Sequence, residues 1–353
     1  MKKKIRVLVV EDSAVFRTLL VRCLNEDPEI EVVAQAEDPF QARDCIIQYQ
    51  PDVMTLDIEL PRMDGIEFLQ KLMPQYPVRT VVISSLSNRV FDALKAGAVD
   101  FVGKPQLQSR EGLISFATKE LPAKLKIAAC ASLRKSYLPS KEVLQTMPAI
   151  SDRKKESVKD KIIAIGASTG GTEAIEQVLQ GFGKDMPGTV ITQHMPPGFT
   201  TMYAIRLNQK MPAGIEVKEA ENGDEVRPGR ILLAPGGQRQ MRVIRGNERY
   251  QVQLVREPKV NGHCPSVDVL FESVADAAGR QGIGVLLTGM GADGAKGLLT
   301  MRQKGARTIG QDASTCVIYG MPKVACELGA VEFQEKLLDI PRRIYTLVGQ
   351  TIK

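Results

Sequence analysis

The chain has 353 residues, a formal net charge of +6, 43% hydrophobic residues, six cysteines, two histidines and no tryptophan. Its length exceeds one ordinary core and predicts two domains, and no apolar run approaches the roughly 18–20 residues that cross a bilayer, which argues against membrane insertion. The charge is local: residues 123–161 hold ten Lys and Arg against four Asp and Glu, which accounts for all of the excess and reads as a solvated linker rather than a nucleic-acid surface.

The basic start MKKKIRVLVV does not read as a secretory signal, because Arg6 interrupts its apolar run and Glu11 and Asp12 end it. The cysteines are scattered without a C-x-x-C pair and read as reduced packing residues. A cytoplasmic address follows. From residue 5 to about 125, the runs IRVLVV, EVVAQA, DVMTL, TVVIS and VDFVG alternate with amphipathic stretches, which predicts a five-stranded, parallel, doubly wound α/β domain over residues 1–125. Such sheets carry their chemistry at the carboxyl ends of the strands.

Glu11 and Asp12 end the first strand, Asp57 the third, Ser84 the fourth, and Lys104 with Pro105 the fifth. Three carboxylates brought together repel one another and have raised pKa values unless a divalent cation sits among them, and hard oxygen ligands suit Mg²⁺. Beside such a cation, Asp57 is the candidate phosphoryl acceptor, with Ser84 and Lys104 offsetting the transferred charge. Through VVEDS, DIELPRMDG, SSLS and KP the stretch resembles the response-regulator receiver domain. The resemblance implies phosphorylation of Asp57 by a histidine kinase, metal held by Glu11, Asp12 and Asp57, and Ser84 and Lys104 as the switch pair. Only Asn88 to Ala98 separate the SSLS turn from the fifth strand, so the fourth helix is expected to be short.

Residues 126–159 carry Pro, Ser and charge without sustained periodicity and are expected to form the basic linker. Strand and helix alternation resumes at KIIAIGAS and runs through TVITQHM, GIGVLLTG and ARTIGQD, with hairpin-like segments between Arg230 and Val255. Residues 160–353 are therefore expected to form a second doubly wound α/β domain with a β-hairpin insertion.

The turn IGASTGGTE could cradle phosphate or present a nucleophile. It fails the dinucleotide fingerprint because Ser168 stands where a glycine is needed, and it lacks the lysine of a P-loop. It does match G-x-S-x-G between a strand and a helix, the setting in which a serine is thrust out on a sharp turn. The base expected for Ser168 is His194, directly after a strand, rather than His263 in VNGHCPSVD. Asp293 in GMGADG is the orienting carboxylate, with an N-cap for the helix that follows as the competing reading. Backbone donors for an oxyanion are sought at Thr169 and Met290.

With IGASTGGTEA, QHMPPGF, GRILLAPGG, GHCPSVDVLF, LLTGMGADGA and GQDASTCVIYGMPKVA, the second half resembles the CheB-type family, the chemotaxis protein-glutamate methylesterases. The family's catalytic serine, histidine and aspartate fall on Ser168, His194 and Asp293. The resemblance implies cofactor-free hydrolysis of glutamate methyl esters, and deamidation of glutamines, on the cytoplasmic helices of methyl-accepting chemoreceptors. It also implies that the unphosphorylated receiver covers the esterase site and that phosphorylation loosens it. Cys264 departs from the family, which often has Arg before PSVD. The alternative is a phosphorylation-gated receptor-binding signalling protein without hydrolase activity.

Overall fold

The computed structural model describes residues 3–85, 88–105, 110–133, 158–247 and 249–349, so linker residues 134–157, and Leu86 and Ser87 of the SSLS turn, lie outside the described residues. The chain divides near residue 136 into two units. In the first, strands β1 (Ile5–Val10), β2 (Ile30–Ala36), β3 (Val53–Asp57), β4 (Arg79–Ser84) and β5 (Asp100–Gly103) pair in parallel in the order β2-β1-β3-β4-β5. Every residue of β3 is buried, as befits a central strand covered on both faces.

Helices α1 (Ala14–Glu26), α2 (Pro39–Tyr49), α3 (Gly65–Leu72) and α4 (Arg89–Lys95) alternate with the strands, and α4 is as short as the sequence predicts. Ser13 accepts from the Phe16 N–H, Asp38 from Phe40 and Gln41, and Asp64 from Ile66. These caps fix where each helix begins and hold the loops after β1, β2 and β3 on one edge of the sheet. The last helix starts as α5 (Arg110–Ser115), widens into a π turn at Phe116–Glu120, and continues as α6 (Leu121–Ala129). Pro122 has no N–H to give the carbonyl four residues back, which accounts for the widening. The helix runs past residue 125: Ala128 and Ala131 are buried, and Arg79 Nε donates to the Ala131 carbonyl at 2.8 Å.

The second unit holds seven parallel strands in the order β15-β14-β13-β6-β7-β10-β8. They are β6 (Ile162–Ala167), β7 (Gly188–Gln193), β8 (Glu216–Glu219), β10 (Arg230–Leu233), β13 (Gly282–Leu286), β14 (Arg307–Gln311) and β15 (Phe333–Glu335). Helices α7 (Gly171–Gln180), α8 (Phe199–Lys210), α9 (Val267–Ala278), α10 (Ala295–Gln303), α11 (Met321–Glu327) and α12 (Ile340–Gly349) connect or flank them. The strand β10, which the sequence placed among the hairpin segments, belongs to the main sheet, because Ile231, Leu232 and Leu233 are all buried and a hairpin strand would wet one face.

The insertion itself is the antiparallel trio β11 (Gln240–Arg245), β12 (Tyr250–Val255) and β9 (Glu225–Val226). Its apolar face, Met241, Val243, Tyr250 and Val252, shares a core with Val267, Leu270, Phe271 and Val274 of α9. Ser273 of α9 ties the two together by accepting from the Val243 N–H at 2.9 Å while donating to the Leu270 carbonyl at 2.7 Å. Ser273→Ala leaves that buried N–H without its acceptor, which costs about 1–3 kcal/mol. The urea midpoint of the second unit should fall accordingly at unchanged m-value, and an unmoved midpoint would show that the tie contributes nothing.

Candidate active site

Two groups of polar side chains sit at the carboxyl ends of the two parallel sheets, one in each unit. In the first unit, ligand oxygens of Glu11, Asp12 and Asp57 lie within 4.8 Å of one another, with Glu11 and Asp57 buried and Asp12 exposed. Lys104 joins them: its Nζ lies 3.1 Å from both Glu11 carboxyl oxygens and 2.5 Å from Asp57 Oδ2. The other Asp57 oxygen accepts from the Glu59 N–H at 2.9 Å, and Arg17 donates to the Glu11 and Asp12 carbonyls, holding the acidic turn in place. Ser84 is buried at the same edge, with its hydroxyl donating to the Ser85 carbonyl.

The expected repulsion among carboxylates appears at Glu11, whose pKa is pushed up to about 7. Burial is the larger cause and the Asp57 charge the next, with Lys104 opposing both. Burial alone would lower Lys104, but its bonds and charge interactions with Asp57 and Glu11 raise it. One ammonium shared by two buried carboxylates leaves negative charge uncompensated, and an all-oxygen set of this size fits a hard divalent cation.

In the second unit, β6 and β7 pair in register as far as Ala167 opposite Gln193, so Ser168 and His194 leave the sheet side by side. The His194 N–H donates to the Ala167 carbonyl at 3.2 Å. Gln193 ties the two turns together, since its Nε2 donates to the Ser168 carbonyl at 3.0 Å and to the His194 carbonyl at 3.1 Å. Because both acceptors are carbonyls, the amide can face only one way.

His194 Nε2 lies 2.8 Å from Asp293 Oδ2. The carboxylate also accepts from Asn261 Nδ2, the Ser266 hydroxyl and the Val267 and Asp268 N–H groups at 2.7–3.3 Å. Burial alone would raise its pKa, but the bond and charge of His194, with Asn261 and Ser266, hold it well below the usual carboxylate range. An ionised carboxylate only accepts, so Nε2 carries the imidazole proton and Nδ1 the lone pair. That Nδ1 is buried with no hydrogen-bond partner among the described residues.

Asp293 does cap a helix, but a different one from that expected. The helix after it, α10, has Gly294 at its N-cap without a side-chain bond, whereas the carboxylate meets the first N–H groups of α9. Thr169 is buried, and its carbonyl accepts from the Thr288 hydroxyl at 3.0 Å. Met290 exposes 42% of its surface, and its N–H has no acceptor among the described residues. Cys264 is half-buried, with a thiol that burial pushes up. The sequence reading missed Gln193, Asn261, Ser266 and Thr288; of these only Asn261 carries a local signal, as the first residue of an Asn-Gly turn.

A family model described as CheB methylesterase matches residues 163–344, and one described as response regulator receiver domain matches residues 7–114. The chain is 55% identical over 348 residues to protein-glutamate methylesterase/protein-glutamine glutaminase 2 of Syntrophomonas wolfei, with 99% of each chain covered. It is 49% identical over 354 residues to protein-glutamate methylesterase/protein-glutamine glutaminase of Syntrophotalea carbinolica, again covering 99% of each. Among solved structures, the Thermotoga maritima CheB methylesterase catalytic domain is similar at 37% identity and a TM-score of 0.51, covering 53% of this chain and 98% of that one.

The raised Glu11 has a pH consequence. Between its ordinary value of 4.5 and about 7, the folded protein binds a proton that the unfolded chain does not. The stability contributed by protonated Glu11 is complete below 4.5 and is lost as pH rises through about 7. Without divalent cation, calorimetry of the intact chain from pH 5 to 8 should show a decline that Glu11→Gln removes and that added Mg²⁺ reverses at pH 8. Parallel pH profiles for the two proteins would contradict this.

Proposed function

Because the chain belongs to the CheB methylesterase family and carries a response regulator receiver domain ahead of the esterase, we propose that Ser168, His194 and Asp293 form the triad of a phosphorylation-activated hydrolase. The enzyme is a protein-glutamate methylesterase and protein-glutamine glutaminase. The domains assigned are a receiver whose last helix continues past residue 125 to Ala129, a basic linker up to residue 159 and a catalytic domain over 160–353. The substrates assigned are glutamate methyl esters and glutamines on cytoplasmic helices of methyl-accepting chemoreceptors, and the phosphodonor is a histidine kinase. No helix among the described residues is long and apolar enough to cross a membrane; the location assigned, from the receptor substrates, is the cytoplasm.

The observation that carries the triad is the His194–Asp293 pair, which leaves Nδ1 as a buried lone pair on the residue that emerges beside Ser168. In the proposed reaction His194 Nδ1 takes the Ser168 hydroxyl proton as Oγ bonds to the side-chain carbonyl carbon of the substrate. The tetrahedral intermediate collapses when that proton passes to the leaving oxygen or nitrogen, which departs as methanol or ammonia. Water then repeats the sequence on the acyl-serine, releasing a glutamate carboxylate and restoring Ser168. Asp293 stays ionised throughout and stabilises the imidazolium. The oxyanion faces the N–H groups of Thr169 and Met290 near the amino end of α7. No step calls on a cofactor.

In the receiver, Glu11, Asp12 and Asp57 would hold Mg²⁺, which neutralises charge at the phosphoryl group being transferred. Asp57 accepts the phosphoryl group, and Lys104, already on Asp57 Oδ2, and Ser84 then meet its oxygens. A coupling of about 1–3 kcal/mol between the two sites changes activity roughly 5- to 150-fold.

Ser168→Ala should abolish methanol release from methylated receptor membranes while receptor binding survives; release at the parental rate would refute the assigned nucleophile. With an acyl-phosphate donor and Mg²⁺, methanol release by the intact chain should rise about 5-fold or more. Asp57→Asn should remove the increase without changing basal release, whereas a donor effect that survives Asp57→Asn would place the control elsewhere.

A further inference from the structure

The second histidine of the chain lies flat against the first. The rings of His194 and His263 are 8° from parallel with centroids 3.7 Å apart. Aromatic pairs usually keep an offset, with centroids about 4.5–7 Å apart, so overlap here is close to complete. We propose that His263 is a positioning residue for the esterase reaction: its ring face fixes the plane of the His194 imidazole and thereby the direction of the Nδ1 lone pair. This inference rests on His194 being the base, as assigned above.

One hydrogen bond does not fix an imidazole. Asp293 holds Nε2, but Nδ1 has no hydrogen-bond partner among the described residues, so no second bond sets the plane of the ring. A parallel wall at van der Waals distance constrains it from one side. The wall is itself held. Val260 and His263 exchange backbone hydrogen bonds at 3.0 and 2.9 Å around Asn261 and Gly262, whose φ values of 53° and 82° make a tight two-residue hairpin turn. Gln240 Nε2 donates to the His263 carbonyl at 3.3 Å, anchoring the turn to β11.

The deciding feature is the shared anchor. Asp293 takes His194 on Oδ2 and, on Oδ1, the Asn261 amide, 2.8 Å away and two residues before His263. The carboxylate that orients the base therefore also sets where the wall stands, so the two rings keep register with each other. A ring that merely filled space in this loop would need no tie to the catalytic carboxylate. Misplacement of a reacting group by about 1 Å costs on the order of 100-fold in rate.

The test uses the intact chain with phosphodonor and methylated receptor membranes. His263→Ala should lower kcat by roughly 10- to 100-fold with KM within about 2-fold, and His263→Phe, which keeps a flat ring but no ring nitrogen, should recover most of the loss. Because the chain has only two histidines, the parent gives two imidazole Hε1 resonances, and in His263→Ala the survivor should lose its ring-current shift and broaden. An unchanged kcat, a loss confined to KM, or a Phe variant as slow as the Ala variant would each overturn the proposal. His194→Ala separates this from failure of the triad: if it stays active, the catalytic assignment itself is wrong, whereas an inactive His194→Ala beside a fully active His263→Ala refutes only the role of His263. Should His263→Ala fail to fold, the Phe variant and its spectrum still decide the matter.

Discussion

The Asp293 carboxylate, almost completely buried, is the interaction on which the esterase edge depends. A lone carboxylate taken out of water costs several kcal/mol, and here five donors among the described residues offset that cost: His194, Asn261, the Ser266 hydroxyl and two N–H groups of α9. Each donor sits on a different stretch of chain from Asp293 itself. To satisfy one charge, the loop after β7, the Asn261 turn, the start of α9 and the loop after β13 must all come to one point. The electrostatic need of a single side chain thus fixes the geometry of the whole catalytic edge.

The receiver pocket meets a similar need in the opposite way. Glu11 and Asp57 are equally buried, but one partly exposed ammonium serves both, and Glu11 responds with a raised pKa. Five donors satisfy Asp293, whereas the single partly exposed ammonium of Lys104, shared by Glu11 and Asp57, leaves negative charge uncompensated in the receiver pocket. Both pockets occupy the carboxyl edge of a parallel sheet, where helix N-termini and loops converge. The two pockets therefore differ less in architecture than in how completely the buried charge is compensated.

This difference also explains what the sequence could tell. The strands were legible as short β-branched runs, and Ser168, His194, Asp57 and Lys104 as polar residues at their ends, because both signals are local. Strand β10 was misplaced because RILL reads equally well as a hairpin strand or a buried parallel one, and only its neighbours β7 and β8 decide. Gln193, Ser266 and Thr288 were missed for a similar reason: each bonds a group 25 or more residues away, a backbone carbonyl for Gln193 and Thr288 and the Asp293 carboxylate for Ser266, which leaves no periodicity or spacing to read. The capping role of Asp293 was half legible. An Asp at that position was expected to cap a helix, but the chain could not say that the helix lies before it in sequence rather than after.

The nucleophile turn shows the same economy of backbone groups. The Ser168 N–H is engaged with the Thr288 carbonyl at 3.0 Å, and Thr288 in turn receives the Ile318 N–H on its hydroxyl and bonds Gln311 through its own N–H. The serine is thus pinned by a buried network, and its own N–H is not available to an oxyanion. In the proposed reaction the oxyanion donors lie beside it and across from it, at Thr169 and Met290. Gly289 is what lets the segment across from it approach: a Cβ there would fall 2.7 Å from the Ser168 Cβ and collide with Met321. The next residue, Met290, keeps its side chain on the surface, so the GMG segment approaches the Ser168 turn through its main chain.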